Sequence, residues 1–268
     1  MMALYISMVI IIITNGNYGI VYSNYYYHHL VSNHYYLESL KTGEFVLPKV
    51  FEPCSGKGGF LLDIIDRLMD GLDYRIPDEK ERYKTIVEQC LYFNVGNTLE
   101  LDIEKKWRVK GFDDVVGNPP YNNELWAKFV DYSIKNMNKG GYLLYVHPCN
   151  WRKPNHKVGN IMKKYDIHYI KIYDIKNTFK LFNCNVRVDW YLLQKLSNNM
   201  ETLIVDDMNT TYYINIKDKH FIPNNMINII IKVSSKDIHK LNIIRSHKII
   251  SNSSKLREKK VKHLNILC

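Results

Sequence analysis

The sequence predicts a mixed α/β fold with a mostly parallel sheet and an antiparallel pair of strands at its edge. The short apolar run 112–116 ends at Asn118-Pro119-Pro120, as a buried parallel strand does where it opens into a loop. Residues 49–68 combine a strand, a glycine-rich turn and an apolar pattern with helical spacing. Residues 167–175 and 186–194 alternate apolar and polar side chains, which is typical of antiparallel strands.

Length and charge limit the possible architectures and partners. A chain of 268 residues with 46% hydrophobic content can form one α/β core with an appendage rather than two complete domains. The formal net charge of +10 favours a polyanionic partner such as nucleic acid. An AT-rich coding sequence would also enrich Lys, Asn, Ile and Tyr, so charge alone does not identify the partner.

Neither the cysteines nor the N-terminal run indicates a metal site or an export signal. The five cysteines form no Cys-x-x-Cys pair and lack zinc-like spacing, which favours reduced thiols in an intracellular protein without a metal. Residues 1–14 are too short an apolar run to span a bilayer and lack the features of a signal peptide. We therefore expect a strand or an irregular appendage there, with no membrane partner and no secretion. The tyrosine-rich segment 15–36 is either a base-stacking platform or an ordinary loop.

The strongest chemical signal is the stretch Asn118-Pro119-Pro120-Tyr121. Two prolines fix the backbone and remove two N–H donors, so the loop presents carbonyl oxygens and the Asn118 amide. The Tyr121 ring places a flat apolar face beside these acceptors. A planar ring that carries an exocyclic amine would satisfy both features.

A second signal lies upstream, where a strand ends in Glu52-Pro53 and a turn rich in glycine follows. Gly56 and Gly58 allow the backbone to approach a ligand closely, and the start of the following helix favours an anionic group. Such a turn is weak evidence by itself. Its pairing with the asparagine-proline motif roughly 60 residues later, at the same edge of an α/β sheet, is much more specific.

On these motifs the chain resembles the N6-adenine-specific DNA methyltransferases of restriction-modification systems, in the arrangement where the cofactor motif precedes the catalytic motif. The Asp-Pro-x-x-Gly-x-Gly-x-Phe motif of that family matches residues 52–60 with Glu for Asp, and Asn-Pro-Pro-Tyr matches residues 118–121 unchanged. Gly140-Gly141, the strand after it and Pro148-x-x-Trp151 resemble a third family segment. The resemblance covers about 47–195.

The resemblance implies a Rossmann-like, S-adenosylmethionine-dependent methyltransferase fold and a DNA partner. Catalysis would use Asn118, Pro119, Pro120 and Tyr121. The cofactor would be bound by a set drawn from both sides of the first helix, namely Glu52, Pro53, Gly56, Gly58, Phe60 and Asn97. A flipped adenine would stack between Tyr121 and an aromatic residue of the 167–194 hairpin, for which we choose Phe182 over Phe179. Whether a restriction endonuclease accompanies the chain is not readable from the sequence.

Part of the expected cofactor pocket is not recognisable. An adenosyl cofactor requires an acid at the end of the second strand, about 20 residues after the glycines, to bind the ribose hydroxyls. No acid has that context here, so the second strand and its acid are expected to be missing, unless residues outside any recognised motif complete the pocket. The segment 42–48 matches only partly the motif that holds the methionine end of the cofactor.

The remaining elements lie on either side of the catalytic motif. An amphipathic helix is expected over 125–134, and Trp151 is either part of the substrate cleft or part of the core. Arg152, Lys153 and Lys157 lie just past a strand end, where they would contact DNA phosphates or form a solvated loop. Before the motif, a helix is expected to begin at Pro77-Asp78-Glu79, with the proline near its first position and acids in its first turn.

The expected domain limits are an N-terminal segment at 1–46, a catalytic domain at 47–196 and a partial recognition or truncated region at 197–268. Two other functions remain open. One is methylation of a protein glutamine or an RNA base by the same motif, and the other is a decayed relic that binds DNA through its charge. Cofactor binding separates the relic from the enzymes, and substrate choice separates the enzymes from each other.

Overall fold

The fold is built on a single large sheet with helices on both of its faces. The computed structural model describes the backbone at residues 10–14 and 17–21, and backbone and side chains at residues 47–73 and 75–229. The tyrosine-rich stretch at 22–36, the partial motif at 42–46 and the basic tail lie outside these residues. The described residues belong to one unit that extends to residue 231, whereas a second unit, 232–268, lies wholly outside them.

Ten strands are described. A two-stranded antiparallel sheet is formed by β1 (Ile10–Thr14) and β2 (Asn17–Val21). The strands of the large sheet are β3 (Val50–Glu52), β4 (Leu91–Phe93), β5 (Phe112–Gly117), β6 (Met137–Pro148), β7 (Asp166–Ile172), β8 (Val188–Gln194), β9 (Thr202–Val205) and β10 (Thr211–Ile214). Their spatial order is β10-β9-β7-β8-β6-β5-β3-β4.

Six strands of the large sheet run in one direction and two run against them. The neighbours β4, β3, β5 and β6 are mutually parallel. Strand β8 is antiparallel to both β6 and β7, β9 is parallel to β7, and β10 is antiparallel to β9. The predicted Rossmann-like, mostly parallel sheet with an antiparallel pair, formed by β7 and β8, is therefore confirmed. The pair does not lie at the edge as expected, because β9 and β10 extend the sheet beyond β7.

Helices connect the strands. They are α1 (Gly59–Gly71), α2 (Glu79–Thr85), α3 (Ile103–Trp107), α4 (Leu125–Asn136), α5 (Lys157–Met162) and α6 (Ile175–Phe182). A π-helical turn, Ile86–Cys90, leads from α2 into β4, and short 3-10 turns lie at Thr98–Glu100, Asn122–Glu124 and Cys149–Arg152. No described helix is long and apolar enough to cross a membrane.

The side chains of the central strands alternate between two apolar layers. Phe51 and Val115 pack into one cluster with Trp126 of α4, whereas the neighbouring Val50 and Val116 pack into the other with Ile64 of α1. Successive side chains of a strand point to opposite faces, so helices on both faces leave the central strands no hydrated side. This explains why these strands are continuous apolar runs, each fully buried side chain contributing about 1.5–3 kcal/mol.

Local signals in the sequence mark the starts of two helices. The Asp78 carboxylate accepts the backbone N–H of Glu81 at 2.8 Å, which caps α2 where the acid-rich turn predicts its start. The Asp174 carboxylate accepts the N–H of Asn177 at 2.6 Å and caps α6. The connection between β7 and β8, expected as a loop, is therefore a helix.

The strand that the sequence analysis expects to be missing beside β3 is present, which corrects that expectation. Strand β4 pairs in parallel with β3 along its whole length, from Val50 opposite Leu91 to Glu52 opposite Phe93. The position beside β3 is thus filled, and the described part of the sheet ends at β4. At the opposite edge, β9 and β10 continue the sheet beyond residue 196, and the domain limits stay a prediction.

Candidate functional site

The site begins where three parallel neighbours end. Strands β5, β3 and β4 are adjacent and point the same way, so the loops after them meet at one edge of the sheet. These loops are the glycine-rich turn after Glu52, the segment after Phe93, and the asparagine-proline motif after Gly117. The two motifs that the sequence identifies are therefore neighbours in space.

The glycine-rich turn has backbone angles that only glycine adopts readily. Gly56 has φ +51° and Gly58 has φ +79°, and the Gly58 N–H donates to the Ser55 carbonyl at 2.7 Å. Helix α1 starts at Gly59, and the Gly58 at its N-cap supplies no side-chain hydrogen bond. Gly56 of this turn lines the cleft described below.

Glu52, the last residue of β3, is buried with only 1% of its side chain exposed. Its carboxyl group accepts a hydrogen bond from the backbone N–H of Leu61 in the first turn of α1. Its Oε2 atom has no hydrogen-bond partner among the described residues. Burial raises the pKa of Glu52 from its ordinary value of 4.5 to about 8, although the Leu61 N–H opposes this. A buried acid with one unsatisfied oxygen therefore lies directly beneath the turn.

Cys54 joins the two motifs physically. The backbone N–H of Asn118 points to the Cys54 sulfur, and a Cβ atom on Gly117 would lie only 3.0 Å from that sulfur. Glycine at position 117 therefore lets the end of β5 approach the turn after β3. Burial, with a smaller effect from Glu52, raises the pKa of Cys54 to about 12, so the thiol stays protonated and packs rather than reacts.

The asparagine-proline motif presents its polar groups to solvent. Asn118 and Pro120 are exposed, Pro119 is buried, and Tyr121 is partly buried against the second apolar cluster. The Tyr121 hydroxyl donates to the Asn118 Oδ1 atom at 2.8 Å. This hydrogen bond fixes the orientation of the Asn118 amide and leaves one lone pair of its oxygen for another donor.

A cleft of about 780 Å³ opens beside the motif. Its walls come from the turn at 53–56, the segment 94–100, Pro120 of the motif, and Leu125, Lys128 and Phe129 of α4. This volume is within the range of pockets that bury small organic ligands. The lining mixes apolar side chains with a few polar ones, which suits a nucleoside-like molecule.

The segment after β4 brings the predicted Asn97 to the cleft together with two polar residues, Asn94 and Glu100, that sequence patterns do not single out. Asn94 occupies the strand end where a ribose-binding acid is expected, and its Oδ1 atom accepts from Lys106 Nζ at 2.6 Å. The Asn97 Oδ1 atom accepts the Leu99 N–H at 3.2 Å, which caps the 3-10 turn. Glu100, at the end of that turn, is the one acid among the residues that line the cleft. If residues 91–93 had been recognised in the sequence as the strand beside β3, Glu100 in the segment after that strand would have been a candidate for the ribose-binding acid.

Phe60 and Phe182 pack on the same apolar cluster as Tyr121, whereas Phe179 is exposed. Phe182 is the last residue of α6, so this helix brings it towards the motif side of the sheet. Phe179 lies on the same helix with 51% of its side chain exposed. An Asp174-x-x-Asn177 cap and apolar residues at 175, 179 and 182 are the signals that indicate this helix in the sequence.

Arg152, predicted above to contact phosphates, is instead buried and committed to the protein. Its Nε atom donates to Asp189 Oδ2 at 2.7 Å, and NH1 donates to the carbonyls of Ile222 and Pro223 at 2.7 and 2.8 Å. NH2 donates to the Asn224 side chain. The guanidinium is only 3% exposed and serves to hold residues 222–224 against β8.

Trp151 belongs to the core rather than to a substrate cleft. It is fully buried, and its Nε1 atom donates to the Asp189 carboxylate at 2.8 Å. Burial raises the pKa of Asp189, and Arg152 opposes this effect. Lys153 and Lys157, the other two predicted phosphate contacts, are exposed.

Comparisons with known proteins identify distant similarity of fold. No protein-family model matches the chain, and no curated protein matches it. One similar solved structure is the M protein of the type I restriction enzyme EcoKI, which is 16% identical, with 59% of this chain and 44% of that chain covered and a TM-score of 0.44. A second is a modification subunit of a putative type I restriction enzyme from Vibrio vulnificus, which is 11% identical, with 72% of this chain and 49% of that chain covered and a TM-score of 0.41. A third is a putative class I S-adenosylmethionine-dependent methyltransferase from Listeria monocytogenes, which is 15% identical, with 63% of this chain and 60% of that chain covered and a TM-score of 0.42. The chain spans less than half the length of the first two. Since all three TM-scores lie below 0.5, the fold class rests on the strand order and directions of the sheet itself.

Proposed function

We propose that the chain transfers a methyl group from S-adenosylmethionine to the N6 amino group of adenine in DNA. The observation that carries this proposal is that Pro120 of the Asn118-Pro119-Pro120-Tyr121 loop lines the same cleft as the glycine-rich turn. Amine acceptors and a nucleoside-sized cleft are thereby adjacent at the carboxyl edge of the sheet.

The residues of the cleft fit the cofactor. Gly56 of the glycine-rich turn lines the cleft and would let the backbone approach the ligand closely, while the buried Glu52, bonded to the Leu61 N–H, would hold the turn in place. The Glu100 carboxylate would accept the ribose hydroxyls, and Asn97, whose carbonyl already serves a cap, would offer its NH₂ donors to the adenine ring. When bound, S-adenosylmethionine supplies an electrophilic methyl group on its sulfonium.

The protein's part in the chemistry is to prepare the amine. The lone pair of an adenine amino group is delocalised into the ring, so the group is a poor nucleophile. Acceptance of its two N–H bonds by Asn118 Oδ1 and the Pro119 carbonyl would favour a tetrahedral nitrogen whose lone pair faces the methyl donor. Good positioning can lower a barrier by roughly 7–11 kcal/mol.

The target base would lie against Tyr121. Base flipping costs a few kcal/mol, and stacking on an aromatic ring returns about 1–3 kcal/mol. The Tyr121 hydroxyl, held on Asn118 Oδ1, fixes both the ring and the acceptor. Phe182, which packs on the same cluster, is the proposed second aromatic wall.

The test combines cofactor titration with product analysis. S-adenosylmethionine is titrated calorimetrically into the full chain, and a radiolabelled cofactor is then incubated with unmethylated genomic DNA, RNA and cell protein. Asn118→Ala is expected to abolish transfer and to leave cofactor affinity within about threefold, because Asn118 is not among the residues that line the cleft. The matched control is Asn122→Ala, an exposed asparagine just past the motif.

Each outcome has a definite meaning. N6-methyladenine in the DNA digest, lost in Asn118→Ala and kept in Asn122→Ala, supports the proposal. Label in RNA or on a protein glutamine instead would retain the chemistry and replace the acceptor. Normal transfer by Asn118→Ala would overturn the assigned role, and a folded chain that binds no cofactor would overturn the proposed enzyme.

A further inference from the structure

A second cleft, of about 440 Å³, lies between α5 and the loop after β10. Its lining is dominated by basic and amide side chains, namely Asn160, Lys163 and Lys164 on one wall and Lys217, Lys219 and His220 on the other. Asp218 is the one acid in this lining. None of these residues takes part in the site proposed above.

Hydrogen bonds of two lysine side chains hold the walls of the cleft in place. Lys163 Nζ donates to the Lys219 carbonyl at 2.7 Å, across 56 positions of sequence. Lys217 Nζ contacts the fully buried Asp166 carboxylate at 3.0 Å and the Asn198 carbonyl. The cleft therefore depends on fixed tertiary contacts and not on the chance proximity of surface side chains.

The charge inside the cleft is not neutralised by the protein. Asp166 balances Lys217, but the partner of Lys163 is an uncharged carbonyl, and no carboxylate in the described part of the chain is paired with Lys164 or Lys219. With Lys217 paired, the remaining lysines Lys163, Lys164 and Lys219 and the single acid Asp218 leave a net charge of +2 in the cleft. Burial lowers the pKa of Lys163, which means that its ammonium has lost hydration without gaining a counter-charge. A bound anion would supply that counter-charge.

A chain of side-chain contacts connects the cleft with the turn that follows the asparagine-proline motif. Its lining includes Asn155, and the next residue, His156, stacks on Trp126 with ring centroids 5.5 Å apart. Trp126 is in the first turn of α4, directly after the turn that follows Tyr121. His156 Nε2 also lies 4.0 Å from Glu124 Oε1 in that turn. The start of α5, which borders the cleft, therefore packs against the start of α4, which follows the motif.

We propose that this cleft binds the phosphodiester backbone of duplex DNA beside the target base, with Lys164 and Lys219 as phosphate contacts. The inference rests on the proposed function for its choice of polymer. Duplex DNA carries about one charge per 1.7 Å of axis, so neighbouring lysines can each reach a separate phosphate. Exposed Asn160, Lys164 and His220 leave the cleft open to solvent, as a continuous strand requires and a single enclosed anion does not.

The test is the salt dependence of DNA binding by the full chain, measured by fluorescence anisotropy with a labelled duplex. The double variant Lys164→Gln, Lys219→Gln removes two charges whose ammonium groups hold no described part of the fold together. Since each phosphate contact contributes about 0.9 to the slope of log K against log salt, the slope should become shallower by about 1.8. Affinity at moderate salt should fall by at least about tenfold.

The matched control is Lys80→Gln, Lys84→Gln, which removes two exposed lysines from α2, the helix that precedes the opposite edge strand. An unchanged slope in the cleft variant, an equal loss in the control, or no binding by the wild type would each overturn the proposal.

Calorimetry with inorganic phosphate distinguishes binding of DNA phosphates from binding of a free phosphate ion. Tight phosphate binding that the cleft variant loses, with DNA binding unchanged, would indicate a free-anion site instead. Equal thermal melting of all variants shows that the fold is intact.

The two proposals can fail separately. Methyl transfer with an unchanged salt slope in the cleft variant would remove the cleft proposal and keep the enzyme. A shallower slope in a chain that binds no S-adenosylmethionine would keep the cleft and remove the enzyme.

Discussion

Replacement of Glu52 by glutamine should change how the stability of the protein depends on pH. Burial raises the pKa of Glu52 to about 8 in the folded protein, against 4.5 for an unperturbed glutamate. Below pH 4.5 the Glu52 carboxyl is protonated in both the folded and the unfolded state, so it adds no pH dependence to the free energy of unfolding. Between the two pKa values the unfolded chain releases the proton and the folded chain keeps it, so the free energy of unfolding falls as pH rises.

The size of the effect follows from the two pKa values. At about 1.4 kcal/mol for each pH unit, the interval from 4.5 to about 8 corresponds to roughly 5 kcal/mol, and the decline ends above pH 8. A glutamine binds no such proton, so Glu52→Gln should lack this part of the slope. Its absolute stability is a poorer measure, because the new amide brings buried N–H groups of its own.

The assay is urea unfolding of the wild type and Glu52→Gln at several pH values from about 4.5 to about 8.5. The quantity compared is the difference in unfolding free energy between the two proteins, in which all other titrating groups cancel. Glu100→Gln, which removes the carboxylate of an exposed glutamate, is the control for the chemical change itself. Identical pH slopes in the wild type and Glu52→Gln would show that the Glu52 carboxyl is ionised in the folded state and would refute the argument.

Two further variants test the cleft and the buried ion pair. Glu100→Gln should weaken S-adenosylmethionine binding about tenfold in calorimetric titration, because hydrogen bonds to a charged acceptor contribute about 1.5–3 kcal/mol; unchanged affinity would place the ribose elsewhere. Arg152→Met should lower the free energy of unfolding by about 3–5 kcal/mol in urea, because it leaves the fully buried Asp189 without its cation, and a second change, Asp189→Asn, should restore part of the loss. A loss below about 1 kcal/mol in Arg152→Met would show that Asp189 is protonated in the folded protein.

Short-range patterns were sufficient for the parts of the fold that neighbouring residues determine. The run before Asn118 is a buried strand, and Gly56 and Gly58 adopt the positive φ angles that the turn requires. A helix begins within the expected stretch 77–79, where Asp78 caps it. In these cases the controlling interaction lies within a few residues, so the sequence contains the whole signal. The parallel strands at 50–52 and 112–117 also determine that the two motifs share one edge.

Residues whose roles depend on distant partners could not be assigned in this way. Arg152 and Lys153 are adjacent basic residues in sequence, yet Arg152 is buried on Asp189 and on residues 222–224, up to 72 positions away. The basic cleft likewise joins Lys163 to Lys219 across 56 positions.

The sequence by itself determined the strand and turn motifs, the polar groups that the asparagine-proline loop carries and the sheet edge on which the motifs meet. Only the tertiary structure decided that residues 91–93 lie beside β3, that Glu100 faces the cleft, and that Arg152 is structural. The physical reason is that backbone conformation is set by local sterics and hydrogen bonds. The burial of a charge, in contrast, is set by which distant segments close over it.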